Sequence, residues 1–275
     1  MPSICHDGRT VNFEETGTGP TLVLLPPGAS RASAWRGVMD RLADRFHTIA
    51  IDVTGFGGTD LWNHDRALTL DDEVGAVDAV IASVHGCTDA PVHLAGHSYG
   101  GAVALRLVVM RKEPLASLTL IEPAPYPILA EAGENELHDE AASINFGFIE
   151  AVEAGRSEAA FESYIDYYTD GPGAWVAFNG KVRARILQTA PSVANALAAV
   201  HADRTNRADL AALDFPTRLI HGALTSRPHA RLCEILAETI PGAALSVVEN
   251  AGHMLTMTHP GEVATLIAEI ADQGD

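Results

Sequence analysis

One stretch of this chain, reading VHLAGHSYGGAVALRLVVM, restricts the fold more than any other. It begins as a short apolar run from Val92 to Ala95, turns through glycines around Ser98, and continues as an apolar run from Ala102 to about Met110. The order is strand, G-x-S-x-G turn and helix. The pattern alone is weak, but between a strand and a helix it indicates a nucleophilic serine.

The residue types in this turn fit that chemistry. A serine hydroxyl is a poor nucleophile until a base removes its proton. A sharp strand-to-helix turn would lift Ser98 out of the sheet and place its hydroxyl at a helix N-terminus, where negative charge is favourable. Gly96 and Gly100 lack a Cβ, so backbone can pack on backbone there. The alternative is a glycine-rich turn in which the serine has no chemical role.

Strand-like and helix-like segments alternate along most of the chain, which predicts an α/β fold with a parallel sheet covered on both faces. A hairpin is expected around Asp7-Gly8. Between Pro123 and about Asp209 the pattern is helical without a buried strand. We therefore expect a core formed by residues 1–123 and 210–275, with a helical cap inserted at 124–209. The other predicted strands are Thr21–Leu25, His47–Asp52, Val92–Ala95, Leu115–Ile121, Thr217–Ile220 and Ala244–Val248.

Composition excludes several classes of protein. The formal net charge is −18 and makes nucleic acid or an anionic membrane surface an unfavourable partner. The three cysteines, Cys5, Cys87 and Cys233, are far apart and indicate neither a disulfide framework nor a metal site. The first residues, MPSICHDGRT, lack the pattern of a signal peptide, and no apolar run approaches the length of a membrane span. We expect a cytoplasmic protein.

These motifs resemble those of the α/β-hydrolase superfamily, and the likeness extends over nearly the whole chain. The resemblance implies an eight-stranded, mostly parallel sheet and a catalytic triad in the chain order serine, acid, histidine. In that superfamily the base lies in the loop between the last strand and the last helix, and ENAGHMLTMTHP stands there in this chain. The resemblance therefore identifies His253 as the general base for Ser98, and His259 as a structural residue.

The acid departs from the usual pattern of the superfamily. Most relatives carry it a few residues after the strand that here ends at Ile220, but the segment HGALTSRP contains no Asp or Glu, and Thr225 occupies the usual position. Some relatives, including haloalkane dehalogenases and a group of lactone hydrolases, carry the acid after the preceding strand. Glu122 stands at that strand end and is the expected acid. Glu249 is the alternative, although it precedes His253 by only a few residues.

An oxyanion hole needs two N–H donors. One is expected from the backbone of Tyr99, directly after the nucleophile. The other should come from the loop after the strand that ends at Leu25, which reads Pro-Pro-Gly-Ala. Because proline has no N–H, Gly28 is the first residue that can donate, and Ala29 is the alternative.

The predicted cap is rich in aromatic residues, most of which are expected to pack it onto the core. Some of them should line an apolar pocket above Ser98, since small-molecule sites are usually lined in this way. Candidates for contact with substrate are Tyr164, Tyr168 and Trp175.

Together these features predict a serine hydrolase that cleaves a small apolar carboxylic ester or lactone through an acyl-enzyme, with neither a metal nor an organic cofactor. The same triad serves C–C bond hydrolases, perhydrolases and acyl transferases, and a fold does not choose among them. A receptor that binds a small molecule without turnover is the alternative from another class. The sequence does not predict an oligomeric state.

Overall fold

The computed structural model describes residues 1–85, 90–111, 115–169 and 171–274, so Cys87 lies outside the described residues. Its strands form one eight-stranded sheet in the order β1-β2-β4-β3-β5-β6-β7-β8. The predicted fold class is therefore confirmed. The strands are β1 Ser3–His6, β2 Arg9–Thr16, β3 Thr21–Leu25, β4 His47–Ile51, β5 His93–His97, β6 Ser117–Ile121, β7 Thr217–Gly222 and β8 Ala244–Val248.

Helices precede, separate and cover these strands. A 3-10 turn, Ala32–Trp35, leads directly into the first helix. The helices are α1 Arg36–Leu42, α2 Leu70–His85, α3 Tyr99–Met110, α4 Pro127–Glu131, α5 Asn135–Glu153, α6 Ser157–Tyr168, α7 Ala174–Ala177, α8 Gly180–Leu187, α9 Ala190–Ala202, α10 Arg207–Leu210, α11 Arg227–Thr239, α12 Leu255–Thr258 and α13 Pro260–Ala271. None of these described helices is both long enough and apolar enough to cross a membrane.

Strand direction brings the functional loops to one edge of the sheet. The hairpin of β1 and β2 turns at Asp7-Gly8, as expected, and β2 pairs antiparallel with β4. The remaining neighbouring strands are parallel, so β3, β5, β6, β7 and β8 all end at the same edge. In open parallel sheets, ligands bind at this carboxyl edge.

Two apolar clusters cover the two faces of the sheet. On one face, α1 and α13 bury side chains such as Val38 and Val263. On the other, α2, α3 and α11 bury Val77, Leu105 and Leu232, and this second cluster continues into the helices after β6. Strands β5 and β6 are buried along their whole length, which explains why they read as apolar runs without alternation.

Helices α4 to α10 lie between β6 and β7 in the chain. Helix α9 packs against α3, the helix that follows Ser98, and against α5. Aromatic rings hold α5, α6 and α7 together, with Phe148 against Phe161 at 5.0 Å between ring centroids and Phe161 stacked on Trp175 at 5.7 Å. That residues 124–209 act as a cap over the site stays a prediction.

The sequence predictions for the ends of two helices differ from the structure. The helix after Ser98 begins at Tyr99 rather than at Ala102, because the glycines that form the turn continue directly into helical backbone. The helix expected from Trp35 to Phe46 is observed as α1, Arg36–Leu42, and a 3-10 turn, Ala32–Trp35, precedes it. A carboxylate oxygen of Asp52 accepts a hydrogen bond from the backbone N–H of Ala32 at 2.6 Å and so fixes the start of that turn.

Candidate active site

Ser98 sits on a strained turn between β5 and α3. Its backbone has φ of 53° and ψ of −114°, in the region that residues with a Cβ rarely adopt. A Cβ on Gly96 would overlap the carbonyl oxygen of Gly100, and a Cβ on Gly100 would overlap that of Leu25. Both glycines are therefore required for the turn that presents Ser98, as the sequence predicts.

His253 reaches Ser98 from the loop after β8. Its Nε2 lies 3.1 Å from Ser98 Oγ, and both side chains are largely buried, with 7% and 8% of their surface exposed. The backbone N–H of Ser98 donates to the carbonyl of Ile121 at 2.9 Å, which ties the serine turn to the end of β6. The serine and the imidazole are thus in hydrogen-bond contact at the carboxyl edge of the sheet.

Glu122 completes this arrangement. Its Oε2 lies 2.5 Å from His253 Nδ1, and Oε1 accepts from the backbone N–H of Gly222 at 2.8 Å. Burial alone would raise the pKa of Glu122, but the hydrogen bond and charge of His253 outweigh it and lower the pKa to about 2. An ionised carboxylate only accepts, so Nδ1 carries the proton and Nε2 is free to accept from the Ser98 hydroxyl.

Thr225 occupies the position after β7 where most relatives carry the acid. Its hydroxyl donates to Glu122 Oε2 at 2.5 Å, so the residue at the usual acid position supports the carboxylate instead of supplying it. Glu122 itself has φ of 41°, a second strained residue at this edge. The alternative acid, Glu249, is exposed and lines a groove beside α1 and α13, away from Ser98.

The two expected oxyanion donors lie beside the nucleophile. Gly28 and Tyr99 line the same cavity as Ser98. Ala29 follows with φ of 56°, so the backbone bends sharply directly after Gly28. The arrangement agrees with a pair of backbone amides facing a carbonyl on Ser98, and that role is a proposal.

Glu73 is a residue that sequence reasoning missed. It is fully buried in α2 and accepts a hydrogen bond from the Tyr99 hydroxyl at 2.9 Å. The Thr54 hydroxyl also donates to Glu73, at 2.9 Å, and Arg9 in turn donates to Thr54 at 2.9 Å. Glu73 anchors the side chain of the residue whose amide is the expected oxyanion donor. Only its place beside Asp71 and Asp72 in a first helical turn was visible in the sequence.

His97, the variable residue of the G-x-S-x-G turn, supports the loop that carries His253. Its Nε2 lies 2.8 Å from the carbonyl oxygen of His253, which can only accept, so Nε2 carries the proton. Nδ1 then accepts from the hydroxyl of Thr256 at 3.1 Å. Burial, together with the neighbouring charge of His253, lowers the pKa of His97 to about 3 and keeps the ring neutral.

A buried hydrogen-bond chain runs from the start of α11 into the helices after β6. Tyr168 donates to Asn145 Oδ1 at 3.1 Å, so its oxygen accepts from the Tyr126 hydroxyl at 3.0 Å. The single proton of Tyr126 is then used, and its oxygen accepts from His229 Nε2 at 3.3 Å. In neutral His229, Nδ1 is left to accept from the Ser226 hydroxyl at 3.0 Å. The hydrogen bonds therefore run in one direction.

This chain continues to the surface and touches the base. Asn145 Nδ2 donates to His201 Nε2 at 3.0 Å, and His201 is partly exposed. The ring of His229 lies 4.4 Å from that of His253, and the ring of Tyr168 lies 5.4 Å from it. Burial and the charge of His253 hold the pKa of His229 well below its ordinary value. The ring of His253 is thus packed against these neutral rings, while the charged carboxylate of Glu122 bonds its Nδ1.

The aromatic candidates for substrate contact are not equivalent. Tyr164 lines the cavity beside Ser98, as does Tyr126. Tyr168 contacts the ring of His253 and is not among the residues that line this cavity. Trp175 is buried against Phe161 and is not among the residues that line this cavity, so its contact with substrate stays a prediction. The ring of Trp175 fills the interior of the helical insertion, which its sequence spacing could not distinguish.

Three buried side chains, one of which is His253, have the donor types of a metal site. Oxygen and nitrogen atoms of Glu122, His229 and His253 lie within 4.8 Å of one another. The shortest link among them is the bond between His253 Nδ1 and Glu122, which depends on a proton at Nδ1. A cation bound to all three would displace that proton, so metal binding and the triad arrangement compete for the same atoms.

A family model described as the alpha/beta hydrolase family matches residues 22–266. The chain belongs to the alpha/beta hydrolase family. The sheet order, the strained serine turn and the position of the histidine loop agree with this assignment.

Relatives of this alpha/beta hydrolase have several activities. The chain is 26% identical over 266 residues to pimeloyl-[acyl-carrier protein] methyl ester esterase of Aeromonas hydrophila, covering 94% of this chain and 98% of that protein. It is 26% identical to 2-hydroxymuconate semialdehyde hydrolase of a Pseudomonas species, covering 98% and 92%. A solved thermophilic esterase from Thermogutta terrifontis superposes with a TM-score of 0.77 at 24% identity, covering 99% and 97%, and shows the shared fold.

Proposed function

We propose that this protein is a serine hydrolase that cleaves carboxylic esters through an acyl-enzyme intermediate. The main support is the pair of short contacts that join Ser98 Oγ to His253 Nε2 and His253 Nδ1 to Glu122. The order of donors and acceptors is that of a working triad, with a proton on Nδ1 and a free acceptor facing the serine. The esterase and hydrolase relatives support the same reaction class.

In the proposed mechanism, Ser98 Oγ attacks the ester carbonyl while His253 Nε2 takes its proton. The carboxylate of Glu122 stabilises the imidazolium that forms. The amides of Gly28 and Tyr99 hold the oxyanion, and one such donor is worth about 3–4 kcal/mol in a related mechanism. His253 then gives its proton to the leaving alcohol, and a water molecule, activated by the same ring, releases the acid and restores Ser98.

The cavity favours a neutral substrate. Its described lining consists of Gly28, Ser98, three tyrosines and apolar side chains, and it includes no lysine or arginine. A carboxylate placed there would lose its hydration without gaining a cationic partner, which is strongly unfavourable. This observation supports esters with a neutral acyl group over substrates whose acyl part is anionic, and neutral lactones belong in the same test.

The test combines a covalent probe with turnover. A fluorophosphonate should label the wild-type protein and the Ser143→Ala variant, since Ser143 is exposed on α5, but not Ser98→Ala. Hydrolysis of phenyl acetate should fall by about four to six orders of magnitude in Ser98→Ala, with an unchanged circular dichroism spectrum. A folded wild-type protein that is not labelled and hydrolyses neither esters nor lactones would instead be a small-molecule receptor.

A further inference from the structure

We infer that the cavity beside Ser98 is an acyl pocket sized for an acetyl group, so that the preferred substrates are acetyl esters of larger alcohols. This inference rests on the proposed ester hydrolysis and adds the substrate class. It depends on three observations: the size of the cavity, the side of the triad on which it lies, and the way its walls are held.

The cavity is very small. The centre of a water molecule can reach about 20 Å³ of it. Holding one water molecule takes about 10–15 Å³ on this measure, so the space accepts one methyl group and not a longer chain. Four side chains of α9 form one wall, and Ala124, Tyr126 and Tyr164 form the other. The α9 residues are Val193, Ala196, Leu197 and Val200.

The cavity lies on the acyl side of the triad. Its lining includes Ser98 and the expected oxyanion residues Gly28 and Tyr99, but not His253. The leaving alcohol must receive its proton from His253 Nε2, so it occupies the side of Ser98 that faces the imidazole. The group that enters the cavity is therefore the acyl group, which stays on the serine after the first step.

The walls of the cavity are held in place. The hydroxyl of Tyr126 bonds to both Tyr168 and His229, and its ring stacks on His201 with centroids 5.2 Å apart and planes 16° apart. Opposite, Leu197 and Val200 belong to the buried core cluster and are almost completely covered. Forcing extra methylenes into such a packed region is unfavourable, because it requires strained side chains and shifts of the backbone. The pocket should therefore exclude longer acyl groups rather than expand.

A much larger groove begins beside the turn formed by Gly28 and Ala29. It offers about 460 Å³ on the same measure and is lined by Ala29 and Ser30, which follow Gly28, and by Met257, which follows the His253 loop. Helix α8 lines it through Val182, Arg185 and Ile186, and Arg31 also lines it. Space for a large alcohol therefore adjoins a pocket that accepts only a small acyl group.

Phenyl esters of increasing acyl length test the inference directly. The ratio kcat/KM should be highest for the acetate and fall by at least about tenfold at the butyrate, because one surplus methylene in an apolar pocket commonly costs 10–200-fold. A series that rises to the hexanoate or octanoate would overturn the acyl pocket while leaving the ester hydrolase intact. Absence of turnover with every ester, without fluorophosphonate labelling, would instead refute the proposed function.

A substitution on α9 tests whether this helix limits the length of the acyl group. Leu197→Ala should move the optimum from the acetate towards the butyrate. Leu137→Ala is the matched control, because Leu137 is equally buried in α5, at 7% exposure against 6%, and does not line the cavity. Its series should keep the acetate optimum. An optimum that stays at the acetate in Leu197→Ala, with the protein folded, would contradict the inference.

The opposite substitution covers the case in which Leu197→Ala does not fold. Ala196→Val adds two methyl groups to the cavity wall, so turnover of phenyl acetate should fall by at least about tenfold. Phenyl formate carries no carbon beyond the carbonyl, and its turnover should change little. Equal losses for formate and acetate would indicate general damage to the site and would count against an acyl pocket at this wall.

Discussion

At the scale of single residues, the site depends on an exchange of roles between Glu122 and Thr225. Residues Ile121 and Ile220 are paired neighbours in β6 and β7, so the segments that follow them face the same ring of His253. A carboxylate can therefore come from either strand end without moving the imidazole. Here β6 supplies it, and the threonine on the β7 side donates a hydrogen bond to it.

Replacing the carboxylate by an amide tests this assignment. Glu122→Gln keeps the size of the side chain but can no longer fix the proton on His253 Nδ1. We expect kcat to fall by about 10⁴-fold with little change in KM, because a wrong tautomer leaves no acceptor for the serine proton. The measurement is steady-state hydrolysis of phenyl acetate near neutral pH.

Two further variants control that experiment. Glu249→Gln alters the exposed alternative acid and should leave the rate unchanged. Thr225→Val removes only the hydrogen bond to Glu122 and should cost about 10- to 150-fold at most, because one hydrogen bond to a charged group is worth about 1.5–3 kcal/mol. A severe loss in Glu249→Gln combined with a near-normal Glu122→Gln would reverse the assignment of the acid.

At the scale of elements, the core and the inserted helices are joined beside the base by the buried hydrogen-bond chain. Its members come from α11, from the segment after β6, from α6 and from α5. Each tyrosine hydroxyl in it donates one hydrogen bond and accepts another, so removing one member leaves its neighbours unpaired in the interior. Such networks stabilise a fold when every member is satisfied and weaken it when one is missing.

Tyr126→Phe should show this cost. The change leaves the Nε2–H of His229 and the oxygen of Tyr168 without their partner, which should lower the free energy of unfolding by about 1–3 kcal/mol. Tyr164→Phe is the control, since no hydrogen bond of the Tyr164 hydroxyl is found within the described part of the chain. Urea unfolding of the two variants compares them. Equal stability would mean that the chain of hydrogen bonds contributes nothing measurable.

At the scale of the whole molecule, buried titratable groups tie stability to pH. His97 and His229 are neutral in the folded protein, because burial lowers the pKa of both rings below the ordinary value of 6.5. In the unfolded chain both rings bind protons below that pH. Stability contributed by the neutral rings is therefore present above pH 6.5 and is lost as the pH falls towards the folded pKa values.

The free energy of unfolding should therefore decrease between pH 6.5 and about pH 4. Each of these two histidines contributes up to about 1.4 kcal/mol per pH unit, so together they contribute about 3 kcal/mol per unit. His201, whose pKa burial lowers to about 4, adds to this slope, whereas Glu73, whose pKa burial raises, opposes it. Below pH 4.5, protonation of Glu122 in the unfolded state adds to the loss until its folded pKa of about 2 is passed. Urea unfolding in 0.5 M salt, which screens the surface charge, measures the slope.

His97→Gln supplies the check on this slope. Removing one buried imidazole should reduce the dependence by about one proton, even if the variant is less stable at every pH. A stability that is flat from pH 7 to pH 5 in the wild-type protein would contradict the burial of neutral histidines.

The sequence predicted much of the fold and of the site, for identifiable reasons. Apolar runs without alternation identify strands buried on both faces, and the glycines around Ser98 leave few other ways to turn. Glu122 could be predicted because the segment HGALTSRP after Ile220 contains no Asp or Glu, and because some relatives carry the acid after the preceding strand. Glu73, His97 and His229 were missed, because a polar residue in a helix or strand reads as exposed until its burial is known.

The sequence alone determined the order of the strands along the chain and the serine turn, because both depend on local backbone preference and on spacing. His253 and Glu122 were identified from the resemblance of their segments to the α/β-hydrolase superfamily. Only the tertiary structure decided which side chains surround those groups. The width of the cavity beside Ser98, the hydrogen bond from Thr225 to Glu122 and the tautomer of each buried histidine depend on atoms that are distant in the chain. Their positions follow from packing in three dimensions, which no local pattern encodes.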